Sequence, residues 1–223
     1  MAYINYLLLD AARMGNQISE AKKLNSSYVS LFNSTTEHEQ EDVAPYIFSF
    51  DPESEFARWY MSNGWGNGWG IMARSYASIE DLRTHFRKFL LTVDDLDQEI
   101  YFRFYDPRVL TIFLPNCTPD QLVDFLGPID YLMIEDHDAS FGQLIWMENS
   151  KFRIKKIDKD EIESRFQFDL SHLSVKKSSG TGIPLNSPTI SSASVGLHSS
   201  TATNEVKTEV NKVTKRNKFF FEE

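Results

Sequence analysis

The sequence predicts an α+β fold: a mixed β-sheet of about six or seven strands covered by helices, followed by a flexible C-terminal tail. Three observations lead there. Apolar strand-like runs alternate with amphipathic helical stretches over roughly the first 130 residues, and strand-like runs then cluster up to residue 157. That order suits a helix-covered sheet better than a regular doubly wound one. Helix starts are marked by capping residues, often with proline beside them, and beyond about residue 170 the composition changes abruptly.

Residues 4–9 form a short apolar run with the length of a buried strand, and 16–24 follow as a helix. The run 28–32 gives way to the polar stretch 33–42, a loop, and 46–50 is strand-like. Asp51-Pro52 predicts a helix start, with an acceptor at the N-cap and proline where no amide hydrogen is missed. This helix carries Phe56, Trp59 and Tyr60 on one side and ends at Asn63-Gly64. Residues 70–74 read as a strand, and Ser78 caps the clearest amphipathic helix. In it Ile79, Leu82, Phe86 and Phe89/Leu90 oppose Arg83, Arg87 and Lys88. A loop over 92–98 leads to a predicted strand 100–105. Asp106-Pro107 repeats the cap-plus-proline device ahead of Val109, Leu110 and Phe113. Thr118-Pro119-Asp120-Gln121 adds a capping box before Leu122, Phe125 and Leu126, and Gly127-Pro128 stops that helix. Three strands follow at 131–134, 143–147 and 152–157, the last two joined by a hairpin-sized connection. No internal repeat is present.

With 223 residues, 41% of them hydrophobic, the chain has room for one packed domain and an appendage. Its net charge of −9 argues against a main role in gripping nucleic-acid phosphates. That figure averages two different parts: residues 1–170 carry 16 basic and 28 acidic side chains, residues 171–223 carry 7 and 4. The first is the folded domain. Residues 171–204 are a Ser/Thr/Gly-rich linker with too little apolar surface to offset its ordering entropy. Residues 205–223 are a basic-aromatic tail, with Val206, Val210 and Val213 at helical spacing before Phe219, Phe220 and Phe221. We expect this tail to fold on a partner with the phenylalanines as anchors. The single Cys117 excludes a disulfide framework and a multi-cysteine metal site within one chain. The apolar run 6–9 is too short for a membrane span and lacks the basic flank of a signal peptide, so the expected location is cytoplasmic.

The segment 64–70 holds four of the ten glycines and two of the four tryptophans. A phosphate loop would run strand, glycines, helix; this one follows a helix and precedes a strand, so a tight connection packed by its tryptophans is the better reading. A sugar- or peptide-binding aromatic platform stays open. Asp95, Asp97 and Glu99 have the alternation of a calcium loop, but Ile100 stands where the sharp-turn glycine belongs. Residues 135–138, Glu-Asp-His-Asp, read as a loop, the histidines show no ligand spacing, and Cys117 has no neighbour to activate it. No metal, cofactor or catalytic constellation is predicted. The densest polar-aromatic cluster is Arg103-Phe104-Tyr105-Asp106-Pro107-Arg108. Asp106 there is a helix cap, and Arg103, Arg108 and Arg74 are either solvated strand-end charges or a recognition patch or salt-bridge network with acidic neighbours.

Several motifs in order carry a family resemblance. They are Leu8-Leu9-Asp10-Ala11-Ala12, Asp42-Val43-Ala44-Pro45-Tyr46, Gly64-Trp65-Gly66 with Trp69-Gly70-Ile71, Arg74-Ser75, the run 82–90, Phe102-Arg103-Phe104-Tyr105-Asp106-Pro107-Arg108, and Phe125-Leu126-Gly127-Pro128. Over about residues 6–134 the chain resembles the type VI secretion effector chaperone or adaptor family, also called Tap or TEC proteins. The resemblance implies a cytoplasmic, non-enzymatic factor that binds a secreted effector and promotes its loading onto the VgrG spike. It marks Asp10, Trp65, Gly66, Trp69, Gly70, Arg87, Asp106 and Pro107 as signature positions of structural character. Arg74, Arg103, Tyr105 and Arg108, with Phe219, Phe220 and Phe221 of the tail, are the expected partner-binding residues. The alternative is an enzyme acting on a sugar or nucleotide, with the Gly/Trp loop as platform and Asp106 or Asp10 as acid-base group.

Overall fold

The computed structural model describes residues 3–32, 42–93, 99–149 and 151–166. The expected linker, the tail with Phe219, Phe220 and Phe221, and the calcium-like positions Asp95 and Asp97 lie outside these residues. Strands are β1 (Ile4–Asp10), β2 (Tyr28–Ser30), β3 (Pro45–Ser49), β4 (Gly70–Ser75), β5 (Leu91–Val93), β6 (Glu99–Tyr101), β7 (Ile129–Glu135), β8 (Phe141–Glu148) and β9 (Lys151–Asp158). Helices are α1 (Ala11–Met14), α2 (Gln17–Leu24), α3 (Glu55–Asn63), α4 (Ile79–Arg87), α5 (Pro107–Phe113), α6 (Pro119–Leu126) and α7 (Lys159–Phe166).

Seven strands form one sheet in the order β2-β3-β1-β4-β7-β8-β9, and β5 and β6 form a separate hairpin. The α+β class is as the sequence predicts, but the pairing is antiparallel throughout rather than mixed. Helices cover both faces. Because successive side chains alternate across a strand, Tyr6 and Leu8 of β1 pack with Phe86, Phe104 and Phe125 under α4, α5 and α6. Leu7 and Leu9 pack with Ile18, Phe56, Tyr60 and Ile162 under α2, α3 and α7. Burial on both sides is why β1 reads as a continuous apolar run instead of an alternating one.

Local devices follow the sequence closely in several places. Ser78 accepts from the Asp81 N–H, Asp106 from the Arg108 N–H, and Thr118 and Gln121 complete a reciprocal capping box. Three expectations change and one helix is added. The helix predicted from Asp51 begins a turn later, because Asp51 accepts the Glu53 N–H in a tight turn and Ser54 becomes the cap. Gly64 ends α3 in a right-handed conformation, so its glycine is required by space: a Cβ there would lie 2.6 Å from the Tyr60 ring. The strand expected over 100–105 stops at Tyr101, where the chain turns inward to bury Phe102, Phe104 and Tyr105, with Phe102 packed on the Phe113 ring and Phe104 stacked on Phe86. Helix α7 has no counterpart in the sequence prediction, since five of its eight residues are charged around the buried Ile162.

A close backbone approach lies between the central strands. A Cβ on Gly70 would sit 1.8 Å from the Leu8 carbonyl oxygen, so only glycine allows β4 to start against β1. Gly70→Ala is expected to cost more than about 3 kcal/mol. Gly15→Ala, at φ 58° with nothing within 4 Å of the new methyl, is expected to cost about 1 kcal/mol. Urea denaturation of the two variants checks the contrast.

Candidate functional site

The sheet directs one of its ends at a polar apex. β1 finishes at Asp10, β4 begins beside it at Gly70, and β7 ends nearby at Glu135. Asp10 is 1% exposed. Its backbone N–H donates to the Trp69 carbonyl at 2.8 Å, and its carboxylate caps α1 through the Arg13 N–H. The Arg103 guanidinium donates to the same carboxylate. By the alternation along β1, Asp10 lies on the Leu8 face, where the 102–108 segment packs.

That segment repeats the arrangement within itself, between Asp106 and Arg108. Asp106, 1% exposed, accepts the Arg108 N–H at 3.0 Å and two donors of the Arg108 guanidinium, Nε at 2.9 Å. The contact with Asp106 holds the Arg108 guanidinium above its ordinary pKa. Burial disfavours the Arg103 cation, but Asp10 overrides that and raises it as well. Tyr105 is buried beneath the two pairs, and desolvation with the Asp10 charge pushes its phenol well up. It is 4% exposed and faces Arg103, so it is not a surface contact, contrary to the sequence reading. Pro107 is buried in the first turn of α5.

The Gly/Trp loop closes the apex from the other face. Gly66 and Gly68 take positive φ, 89° and 64°, which the tight connection requires. The Trp65 indole N–H donates to the Ala139 carbonyl at 2.8 Å, and the Arg13 Nε to the Asn67 carbonyl at 2.9 Å. Trp69 packs on Trp59 with ring centroids 5.7 Å apart. The Gly66 N–H donates to the Glu135 carboxylate. Glu135 is a site residue the sequence reading missed. Its signal was its place directly after the buried run Leu132-Met133-Ile134, which made it a strand end and not part of a loop. Burial pushes its carboxyl up to about 7, against the lowering effect of the Gly66 and Gly68 amides and Arg13 and with repulsion from Asp106 added.

The apex thus gathers Asp10, Trp65, Gly66, Trp69, Gly70, Arg103, Tyr105, Asp106, Pro107 and Arg108. It does not include Arg74 or Arg87. Arg74 pairs with Asn5, five residues along β1 from Asp10, about 17 Å away at a strand rise of 3.3–3.4 Å. Arg87 is half-buried in the last turn of α4. Cys117 donates to the Phe113 carbonyl, and burial lifts its thiol to about 12, outside nucleophile range. Among the described residues no group of three His, Cys, Asp or Glu side chains is placed to hold a metal ion, and no helix is long and apolar enough to cross a membrane. A cavity of about 390 Å³ lies at the β2 edge between Tyr28, Tyr46 and Arg83, lined by neither Asp10 nor Asp106.

A family model described as Domain of unknown function (DUF4123) matches residues 5–124. The match runs from β1 to α6 and takes in both arginine–aspartate pairs and the Gly/Trp loop, but not Glu135. No curated protein and no solved structure matches the chain.

Two predictions follow from the burial of the acids. Removing Arg103 or Arg108 strands a carboxylate that is 1–2% exposed, so each Arg→Ala change is expected to cost about 3 kcal/mol. Arg74→Ala disturbs a pair exposed by 38% and 35% and is expected to cost under about 1 kcal/mol. Thermal melts of the three variants decide this. For Glu135 the folded pKa lies above the ordinary value of 4.5. Its protonated form therefore contributes stability that is complete below pH 4.5 and is lost as pH rises through about 7. Glu135→Gln is expected to be more stable than the parent at pH 8 by about 1–2 kcal/mol. The difference should vanish below pH 4.5, measured by urea titration across that range.

Proposed function

Because the chain belongs to the family described as Domain of unknown function DUF4123, we propose that it is a non-catalytic adaptor in the cytoplasm, one that binds a type VI secretion effector and promotes its loading onto the VgrG spike. The observation that carries this reading is the pair of guanidiniums at the apex. Each is held from beneath by a buried aspartate, while 41% of the Arg103 side chain and 48% of the Arg108 side chain stay exposed. Fixing the side chains in advance reduces the entropy lost when a partner arrives. A guanidinium's outer edge matches a carboxylate bidentately, as lysine does not.

The buried carboxylates fit this role better than acid-base catalysis. Asp10 and Asp106 are each occupied by an arginine and by a helix-cap amide, which leaves their lone pairs committed to structure. The motifs that resemble effector chaperones fall largely inside the matched segment, and the sharpest of them, residues 102–108, builds the apex itself.

Co-expression of the tagged full chain with the effector and VgrG of the same organism tests the reading. Both partners are expected to co-purify. The Arg103→Lys/Arg108→Lys double variant, which keeps the charges but loses the planar forks, is expected to weaken capture of one partner by about tenfold or more. An effector that is stable and fully loaded in cells lacking this chain would overturn the proposal.

A further inference from the structure

At the end of the sheet away from the apex, a row of side chains crosses four strands in direct register. Arg74 of β4 pairs with Tyr131 of β7, Tyr131 with Trp146 of β8, and Trp146 with Arg153 of β9. The pleat sends all four to one face, the face that Leu7, Met72 and Met133 share. Nearer the apex this face is filled: Ile162 of α7 and Trp65 close over Gly142. Along the row the cover thins. Tyr131 and Trp146 are half-buried, and the side chains of Arg74 and Arg153 keep 38% and 46% of their surface exposed.

The row continues past β4. Tyr3 and Tyr76 are 49% and 54% exposed and meet edge to face with centroids 6.5 Å apart. The Arg74 guanidinium lies 4.4 Å from the Tyr3 ring centroid and 5.4 Å from that of Tyr131, so it is stacked between an exposed and a half-buried ring. Its Nε is 3.4 Å from an Asp130 oxygen without hydrogen-bond geometry. Tyrosine, tryptophan and arginine are the residues that most often carry binding energy between proteins. Here Arg74 is already stacked on Tyr3 and Tyr131, and strand register aligns Trp146 and Arg153 beside them.

Charge indicates the complement. On the same face of β9, Lys151 and Lys155 flank Arg153 at alternate positions, and Arg165 of α7 acts on Tyr131. Arg74, Lys151, Arg153, Lys155 and Arg165 are set against three carboxylates that pair with members of this group, Asp130, Glu148 and Glu161. Among these described groups cations outnumber their paired acids five to three, on a segment, 1–170, with 28 acidic and 16 basic residues. A basic-aromatic strip on an acidic body selects an acidic segment that also offers an apolar side chain to the rings.

We propose that the Arg74–Tyr131–Trp146–Arg153 row is a docking surface for an acidic, apolar-bearing segment of a partner protein, separate from the apex. The occupant is another protein and not the chain's own tail, because residues 206–218 are themselves rich in lysine and arginine. The surface stands whether or not the partner belongs to secretion, so the test avoids any client.

Fluorescence anisotropy with the full chain and a labelled peptide of alternating glutamate and leucine supplies the test, with the lysine–leucine peptide as control. The glutamate peptide is expected to bind, to be released by salt, and to lose about tenfold or more in affinity with Arg74→Ala/Arg153→Ala. Lys23→Ala, on the exposed side of α2, should leave binding unchanged, and an unchanged melting temperature shows that the double variant is folded. Equal affinity for the two peptides, no binding of the glutamate peptide, or binding indifferent to the double variant would each overturn the proposal. So would binding that appears only after proteolytic removal of the tail, which would make the tail the occupant. A dimer abolished by the double variant in sedimentation would assign the row to a second copy instead.

Discussion

A carboxylate buried at the end of the central strand organises this molecule. Asp10 terminates β1, and a charge with 1% exposure must be met by donors from every direction. Those donors come from separate parts of the chain: the Arg13 N–H at the start of α1 and the Arg103 guanidinium from 93 residues away. The Asp10 N–H in turn fastens the Gly/Trp loop through Trp69. Fixing one acid thus sets the first helix turn, the loop between α3 and β4, and the segment that enters α5. Asp106 repeats the logic locally, as cap of α5 and seat for Arg108. Breaking a buried pair costs more than the pair contributes over an apolar substitute, so these ion pairs hold a particular geometry more than they add stability.

The two ends of the sheet use arginine differently. At the apex the inner donors of Arg103 and Arg108 are consumed by buried acids, and the protein determines where the outer edges point. At the far end Arg74 and Arg153 pair with acids that are 35% and 54% exposed, and for Arg74 stacking on Tyr3 and Tyr131 carries more of the positioning. Pairs of that exposed kind are worth little to folding. The apex is therefore tied to stability, and the Arg74 row is separable from it.

Much of this was legible in the sequence, and what was not has physical reasons. Caps are local chemistry, so Ser78, Asp106 and Thr118 announce α4, α5 and α6 within a few residues. The exclusion of a phosphate loop at 64–70 depends only on element order, which the structure keeps. Long-range packing is not local. Residues 102–105 have strand-like composition, yet the demand for Phe102 and Phe104 in the core beside Phe86 and Phe113 bends them out of β6. Arginine chemistry in the sequence also allowed one patch of Arg74, Arg103 and Arg108, whereas the antiparallel register of β1 and β4 puts Arg74 at the opposite end. Glu135 was hidden because an acid after an apolar strand looks solvated until the loop that covers it, here Gly66, is placed.

Antiparallel pairing has a further consequence for a molecule with two such ends. β1 and β4 approach closely where β1 ends and β4 begins, at Gly70 against the Leu8 carbonyl, so neither strand can slide without losing its register on both faces. A ligand at the apex and one on the Arg74 row would be held about 17 Å apart along β1, on a spacer whose stiffness comes from a core packed on both sides. Coupling between them would not require motion of the sheet. An adaptor that must hold two partners in fixed relation gains more from that rigidity than from a hinge, because each partner's ordering cost is met once and the second docks onto a surface already in place.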